Sequence, residues 1–120
     1  MNTNLSLKRL LAISSLFVVL SASCFTLKAH DYVVDNIFYN RLSNNTLEVT
    51  YKGTYSTSYK GEYSGDVVVP ATVKVNNVDY TVVGVNESAF YFCENLTSVV
   101  LPEGLTYIED RAFMFCDGLL

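Results

Sequence analysis

The stretch Val85-Asn86-Glu87-Ser88-Ala89-Phe90-Tyr91-Phe92-Cys93-Glu94-Asn95-Leu96 returns 23 residues later as Ile108-Glu109-Asp110-Arg111-Ala112-Phe113-Met114-Phe115-Cys116-Asp117-Gly118-Leu119. The matched positions are Val85/Ile108, Ala89/Ala112, Phe90/Phe113, Phe92/Phe115, Cys93/Cys116 and Leu96/Leu119. A self-match at a fixed period in the twenties marks a solenoid, in which each copy buries its apolar face against the next. Polar residues ahead of each aromatic run, Asn86-Glu87-Ser88 and Glu109-Asp110-Arg111, suit a helix start. Short helical turns are therefore predicted over 87–93 and 110–116. Between them Thr97-Ser98-Val99-Val100-Leu101 reads as a strand halted at Pro102, with Leu96, Val99, Leu101, Leu105, Ile108, Ala112, Phe113 and Cys116 inward and Val100 outward.

Upstream of the repeat the chain is β-rich. Tyr32-Val33-Val34, Ile37-Phe38-Tyr39 and Thr46 to Tyr51 are β-branched or aromatic runs broken at Asp35-Asn36 and Ser43-Asn44-Asn45. Leu47, Val49 and Tyr51 alternate with Glu48 and Thr50, the period of a half-buried strand. Residues 53–65 form a Gly/Ser/Thr-rich loop whose tyrosines serve either as a recognition surface or as the loop's own packing. Asp66 to Val69 makes a strand ending at Pro70. Val73-Lys74-Val75 and Val78 to Val83 make a hairpin across Asn76-Asn77, since Asn tolerates the positive φ of a tight turn. Residues 30–85 lack the 23-residue period and are expected to cap the open end of the solenoid, with the repeats in 86–120.

The first 29 residues read as an export signal. Lys8-Arg9 precede the apolar run Leu10 to Leu20, which is 11 residues long and short of the roughly 20 a membrane-spanning helix needs. Cleavage is expected after Ala29, with Ser23 the other candidate. Cys24 offers a lipid-anchored alternative, but Ser21 stands where a lipoprotein box has an aliphatic residue. Loss of 1–29 removes Lys8, Arg9 and Lys28 and leaves five bases against twelve acids, a formal charge of −7. That balance argues against nucleic acid and against anionic membranes as partners.

The pattern Ala-Phe-x-x-Cys-x-x-Leu-x-x-Val-x-Leu-Pro, from Ala89 to Pro102 and restarting at Ala112, resembles the BspA-like leucine-rich repeat. The preceding HDYVVDNIFYN, YSGDVVVP and VDYTVVGV resemble the N-terminal cap of such proteins. The resemblance implies a secreted or surface-displayed protein, adhesin-like, that engages a protein or cell-surface ligand, and it supplies no catalytic residues to carry over.

The residues themselves offer no catalytic, cofactor or metal set. His30 is the single histidine and falls at the expected new, frayed N-terminus, so without a second histidine no Ser or Cys has an imidazole base of the triad kind. Two cysteines are too few for structural zinc. Cys93 and Cys116 fall one rung apart, within disulfide range, and two buried thiols are expected there. Acidic neighbours such as Glu109-Asp110 lack a calcium-loop pattern. The expected partner contacts are the outward Ser98 and Val100 together with the loop tyrosines Tyr55 and Tyr59. A non-enzymatic, exported interaction protein is the leading expectation, and a truncated piece of a larger surface protein is the alternative. Two copies fall short of the three or so that a solenoid needs, so self-association through the open C-terminal repeat is expected.

Overall fold

The computed structural model describes residues 30–53 and 61–119 of the chain. The leader with Cys24, the cleavage sites, and the loop tyrosines Tyr55 and Tyr59 lie outside the described residues. Strands β1 (Tyr32–Val34) and β2 (Ile37–Arg41) form a hairpin in which Val34 faces Ile37 across Asp35-Asn36. Both turn residues have positive φ, 50° and 65°, the handedness that matches the twist of the flanking strands. Asn76-Asn77 does the same at 51° and 65° between β5 (Thr72–Val75) and β6 (Val78–Val85), as expected from the residue types.

Strand β3 (Thr46–Thr50) is antiparallel to β2 and parallel to β6, and β8 (Tyr107–Ile108) is parallel to β6 on its other side. Val49, Val85 and Ile108 therefore stand in one rank. These strands, with β5 on the first half of β6, make a six-stranded sheet. A second sheet consists of β4 (Gly65–Val68) and β7 (Leu96–Val100), parallel, with Val67 opposite Val99 and Val68 opposite Val100. The core between them includes Ile37, Tyr39, Leu47, Val49, Val82 and Leu96.

Two sequence expectations are corrected. The segments 87–93 and 110–116 are not helical turns, and the described residues contain no helix. Each segment is a chain of tight turns, with Ala89 N donating to Asn86 O, Tyr91 N to Ser88 O and Cys93 N to Phe90 O. The alternate amides go instead to the next copy: Ser88 N donates to Asp110 O at 3.1 Å, Phe90 N to Ala112 O at 2.8 Å and Phe92 N to Met114 O at 2.9 Å. In 87–93 these amides are unavailable to a carbonyl four residues back, and in 110–116 the carbonyls of Asp110, Ala112 and Met114 are already engaged, so no helical ladder closes in either segment. The same backbone places Ser88, Phe92, Arg111 and Phe115 at φ of 56–61°, a region costing such residues about 1–2 kcal/mol each. The bonds between copies offset that cost.

The second correction concerns which side chains are covered. Glu48 and Thr50, polar members of an alternating strand, are both buried. Ile108 is half exposed, although Val85 at the matched position is fully buried. Val85 has Val49 on one side and Ile108 on the other, whereas no described strand lies beyond Ile108. Leu96, Ala112 and Cys116 are buried as expected, and Val99, Leu101, Leu105 and Phe113 are partly so.

Stacking of the copies draws the aromatic rings into columns. Tyr63, Phe90 and Phe113 follow one another at centroid distances of 4.5 and 4.8 Å, the last pair within 8° of parallel. Phe92 and Phe115 lie 4.6 Å apart in a second column. Tyr63 is anchored at the head of the first, donating to Thr50 O at 2.7 Å and accepting from Phe38 N at 3.0 Å.

Candidate functional site

Of the expected contact residues, the structure describes Ser98 and Val100, both on β7. Parallel pairing with β4 brings Val68 alongside Val100, and these two valines are 63% and 55% exposed. The two apolar side chains stand adjacent on one face of the sheet. Beside them Asp66 Oδ1 accepts from Thr97 Oγ1 at 2.8 Å and Ser98 Oγ at 2.7 Å. The two hydroxyls, Ser98 first, hold the Asp66 carboxyl below the usual aspartate range, so it stays charged. Ser98 thus serves to fix a carboxylate rather than standing free.

Sequence reasoning missed Val68 and Asp66. Each reads as an ordinary member of a strand, and the pairing of β4 with β7 spans some 30 positions without repeated sequence to announce it. The alternation of Val67 and Val69 against Asp66 and Val68 was the available signal.

A second polar cluster lies inside the fold. Glu48 Oε1 accepts from Asn86 Nδ2 at 2.8 Å and Asn40 Nδ2 at 3.2 Å, and Oε2 accepts from Tyr107 Oη at 2.6 Å. Glu48, Gly84 and Tyr107 occupy one rank across three parallel strands. The phenol reaches Glu48 because Gly84 between them has no side chain: a Cβ there would lie 2.1–2.5 Å from atoms of the Tyr107 ring. Burial first, then the bond to Glu48, raises the Tyr107 phenol above its usual range. With three donors already on it, this carboxylate on β3 ties together β2, β8 and Asn86 at the end of β6.

Cys93 and Cys116 are buried and unbonded. Burial pushes the Cys93 thiol up to about 11 and raises that of Cys116. Cys116 Sγ donates to Phe90 O at 2.9 Å. Thiols held protonated in this way are weak nucleophiles, since the thiolate is the reactive form. His30 packs its ring on Phe38 at 5.0 Å. Among the described residues no group of three His, Cys, Asp or Glu is placed to hold a metal ion. No helix among them is long and apolar enough to cross a membrane.

A β-rich chain whose 23-residue copies stack in register, amide to carbonyl and ring to ring, is of the leucine-rich-repeat class. Residues 71–120 match the family described as "BspA type Leucine rich repeat region (6 copies)", and this stretch is a repeat region of that type. A leucine-rich repeat protein from Bacteroides ovatus is similar in structure at a TM-score of 0.62 and 27% identity, over 75% of this chain and 22% of that one. A leucine-rich repeat protein from Bacteroides capillosus gives 0.49 and 22%, over 73% and 77%. A leucine rich cell surface protein from Faecalibacterium prausnitzii gives 0.47 and 20%, over 73% and 28%. The chain therefore spans 22% of the length of the Bacteroides ovatus protein. No curated protein matches the sequence.

Proposed function

We propose that the chain is an exported, non-enzymatic leucine-rich-repeat protein that mediates protein–protein or cell-surface contact in the manner of an adhesin. In this reading residues 1–29 are the export signal, 30–85 the cap and 86–120 the repeats. The observation that carries it is the outer face of β4 and β7, where Val68 and Val100 stand exposed side by side next to the fixed charge of Asp66. Tyr55 and Tyr59 are proposed to contribute to the same partner. The repeat type and the absence of an activated nucleophile among the described residues support a binding role.

Beads coated with the 120-residue chain are expected to adhere to at least one member of a panel of animal and bacterial cells, and Val100→Asp is expected to abolish most of that adhesion. Unchanged adhesion by a folded Val100→Asp variant would remove the face from the proposal. Failure of the parent chain on every cell type would remove the adhesin reading.

Self-association belongs to the same proposal. Ile108, Met114 and Phe115 are 50%, 42% and 47% exposed on the second copy and offer apolar surface on which another chain can stack. The chain is expected to sediment as a dimer or larger species whose population grows with concentration, and Ile108→Lys is expected to return it to monomer. A monomer at every concentration would count against it.

A further inference from the structure

A cleft of about 800 Å³ opens between the β1–β2 hairpin, β4 and β5. Its walls include the buried side chains of Ile37, Tyr39, Tyr63, Val67 and Val73. Asp35, Glu62 and Asp66 are the acids that line it. Lys74 is the one base among the lining residues, and Asp79 holds it at 2.7 Å. Buried apolar side chains with three acids at the margin, Glu62 beside Lys52 and Asp66 held by Thr97 and Ser98, leave the lining with more acid than base and suit a ligand that is itself apolar and cationic.

The backbone of β4 adds a direction to that chemistry. Gly65 N donates to Asn95 O and Val69 N to Val100 O, both at 2.9 Å, so the odd-numbered residues of this strand face β7. Strand alternation turns the main-chain groups of Asp66 and Val68 the other way, toward the cleft. No strand among the described residues pairs with that edge. An unpaired edge beside an apolar floor is the arrangement that accepts an added strand.

We infer that this cleft is a docking site for an extended protein segment of alternating apolar and basic residues, which adds as a strand to the open edge of β4. The apolar side chains settle on the floor while Lys or Arg side chains reach Asp35, Glu62 and Asp66. The same acids disfavour a phosphate backbone. The inference rests on the reading of the chain as an interaction protein, but not on the outer face of β7.

The test titrates the isotope-labelled 120-residue chain with a blocked peptide of about eight alternating Val and Lys residues, a usual strand length. Saturable amide shifts are expected over residues 34–39 and 62–68. Two N-methylated twins, one methylated at every Val and one at every Lys, separate strand addition from mere stickiness, because only one set of amides faces β4. One twin is expected to bind about tenfold more weakly and the other like the parent. A peptide with Glu in place of Lys is expected not to bind. Asp35→Asn combined with Glu62→Gln weakens binding, Asn being tolerant of the positive φ at position 35.

The inference is overturned by any of three results: no saturable binding, equal binding of both methylated twins, or shifts confined to Thr97–Val100. Val100→Asp distinguishes the two proposals. Lost adhesion with intact peptide binding leaves the cleft standing, and intact adhesion with no peptide binding removes the cleft alone.

Discussion

Phe90→Ala will destabilise the fold by about 3–5 kcal/mol, the range for deleting a fully buried phenylalanine. Phe90 has no exposed surface and lies between Tyr63 at 4.5 Å and Phe113 at 4.8 Å. Truncation would remove the ring on which the second copy rests and open a cavity beneath Phe113. A small domain has only about 5 kcal/mol or a little more in hand, so the variant should be largely unfolded in water. Urea titration followed by circular dichroism measures the loss. Phe115→Ala is the comparison: that ring is 47% exposed and its removal should cost much less. Equal losses from the two variants would contradict the burial that sets Phe90 apart from Phe115.

Gly84→Ala will destabilise the fold at a position that carries no side chain of its own. The new methyl would fall 2.1–2.5 Å from atoms of the Tyr107 ring. The ring can swing away only by giving up its 2.6 Å bond to Glu48, leaving a buried carboxylate oxygen without a donor, at about 2–3 kcal/mol. Tyr107→Phe removes the same bond without the clash. The double variant Gly84→Ala/Tyr107→Phe should therefore cost less than the sum of the two singles. Strict additivity in urea titrations would mean that the two residues do not act on one bond.

The same phenol sets an alkaline limit. Burial raises the Tyr39 phenol from 10.0 to about 12, and burial likewise raises Tyr63 and Tyr107. Folding favours the neutral form in all three cases. The stability they contribute is therefore complete below the unfolded value near 10 and is lost as pH rises through the folded values. Urea midpoints should fall between about pH 10 and 12, less steeply in Tyr107→Phe. A flat profile over that interval would contradict the burial of these rings.

The hairpins and the repeat were legible in the sequence. Asp35-Asn36 and Asn76-Asn77 punctuate β-branched runs, and turn geometry is a local property of two residues. The buried thiols and the buried Phe90 were legible too, because two copies agree on them. The proposed contact face was half legible. Val100 follows from alternation within β7, whereas Val68 joins it only through a pairing between distant, dissimilar segments. The buried Glu48 was not legible, since an acid in an alternating strand is ordinarily solvated, and its three donors arrive from residues 40, 86 and 107.

By itself, then, the sequence determined the period and the register of this protein. The same side-chain type recurs at the same place 23 residues on, and stacking puts Phe on Phe and Cys above Cys. What only the tertiary structure decided is the backbone that carries those side chains. The Ala-Phe segments have polar starts that suit a helix, yet stacking takes the amides of the first copy and the carbonyls of the second that a helix would use, and Ser88, Phe92, Arg111 and Phe115 are left-handed in the stack. A hydrogen bond to a neighbour is a property of the stack, and no single copy contains it.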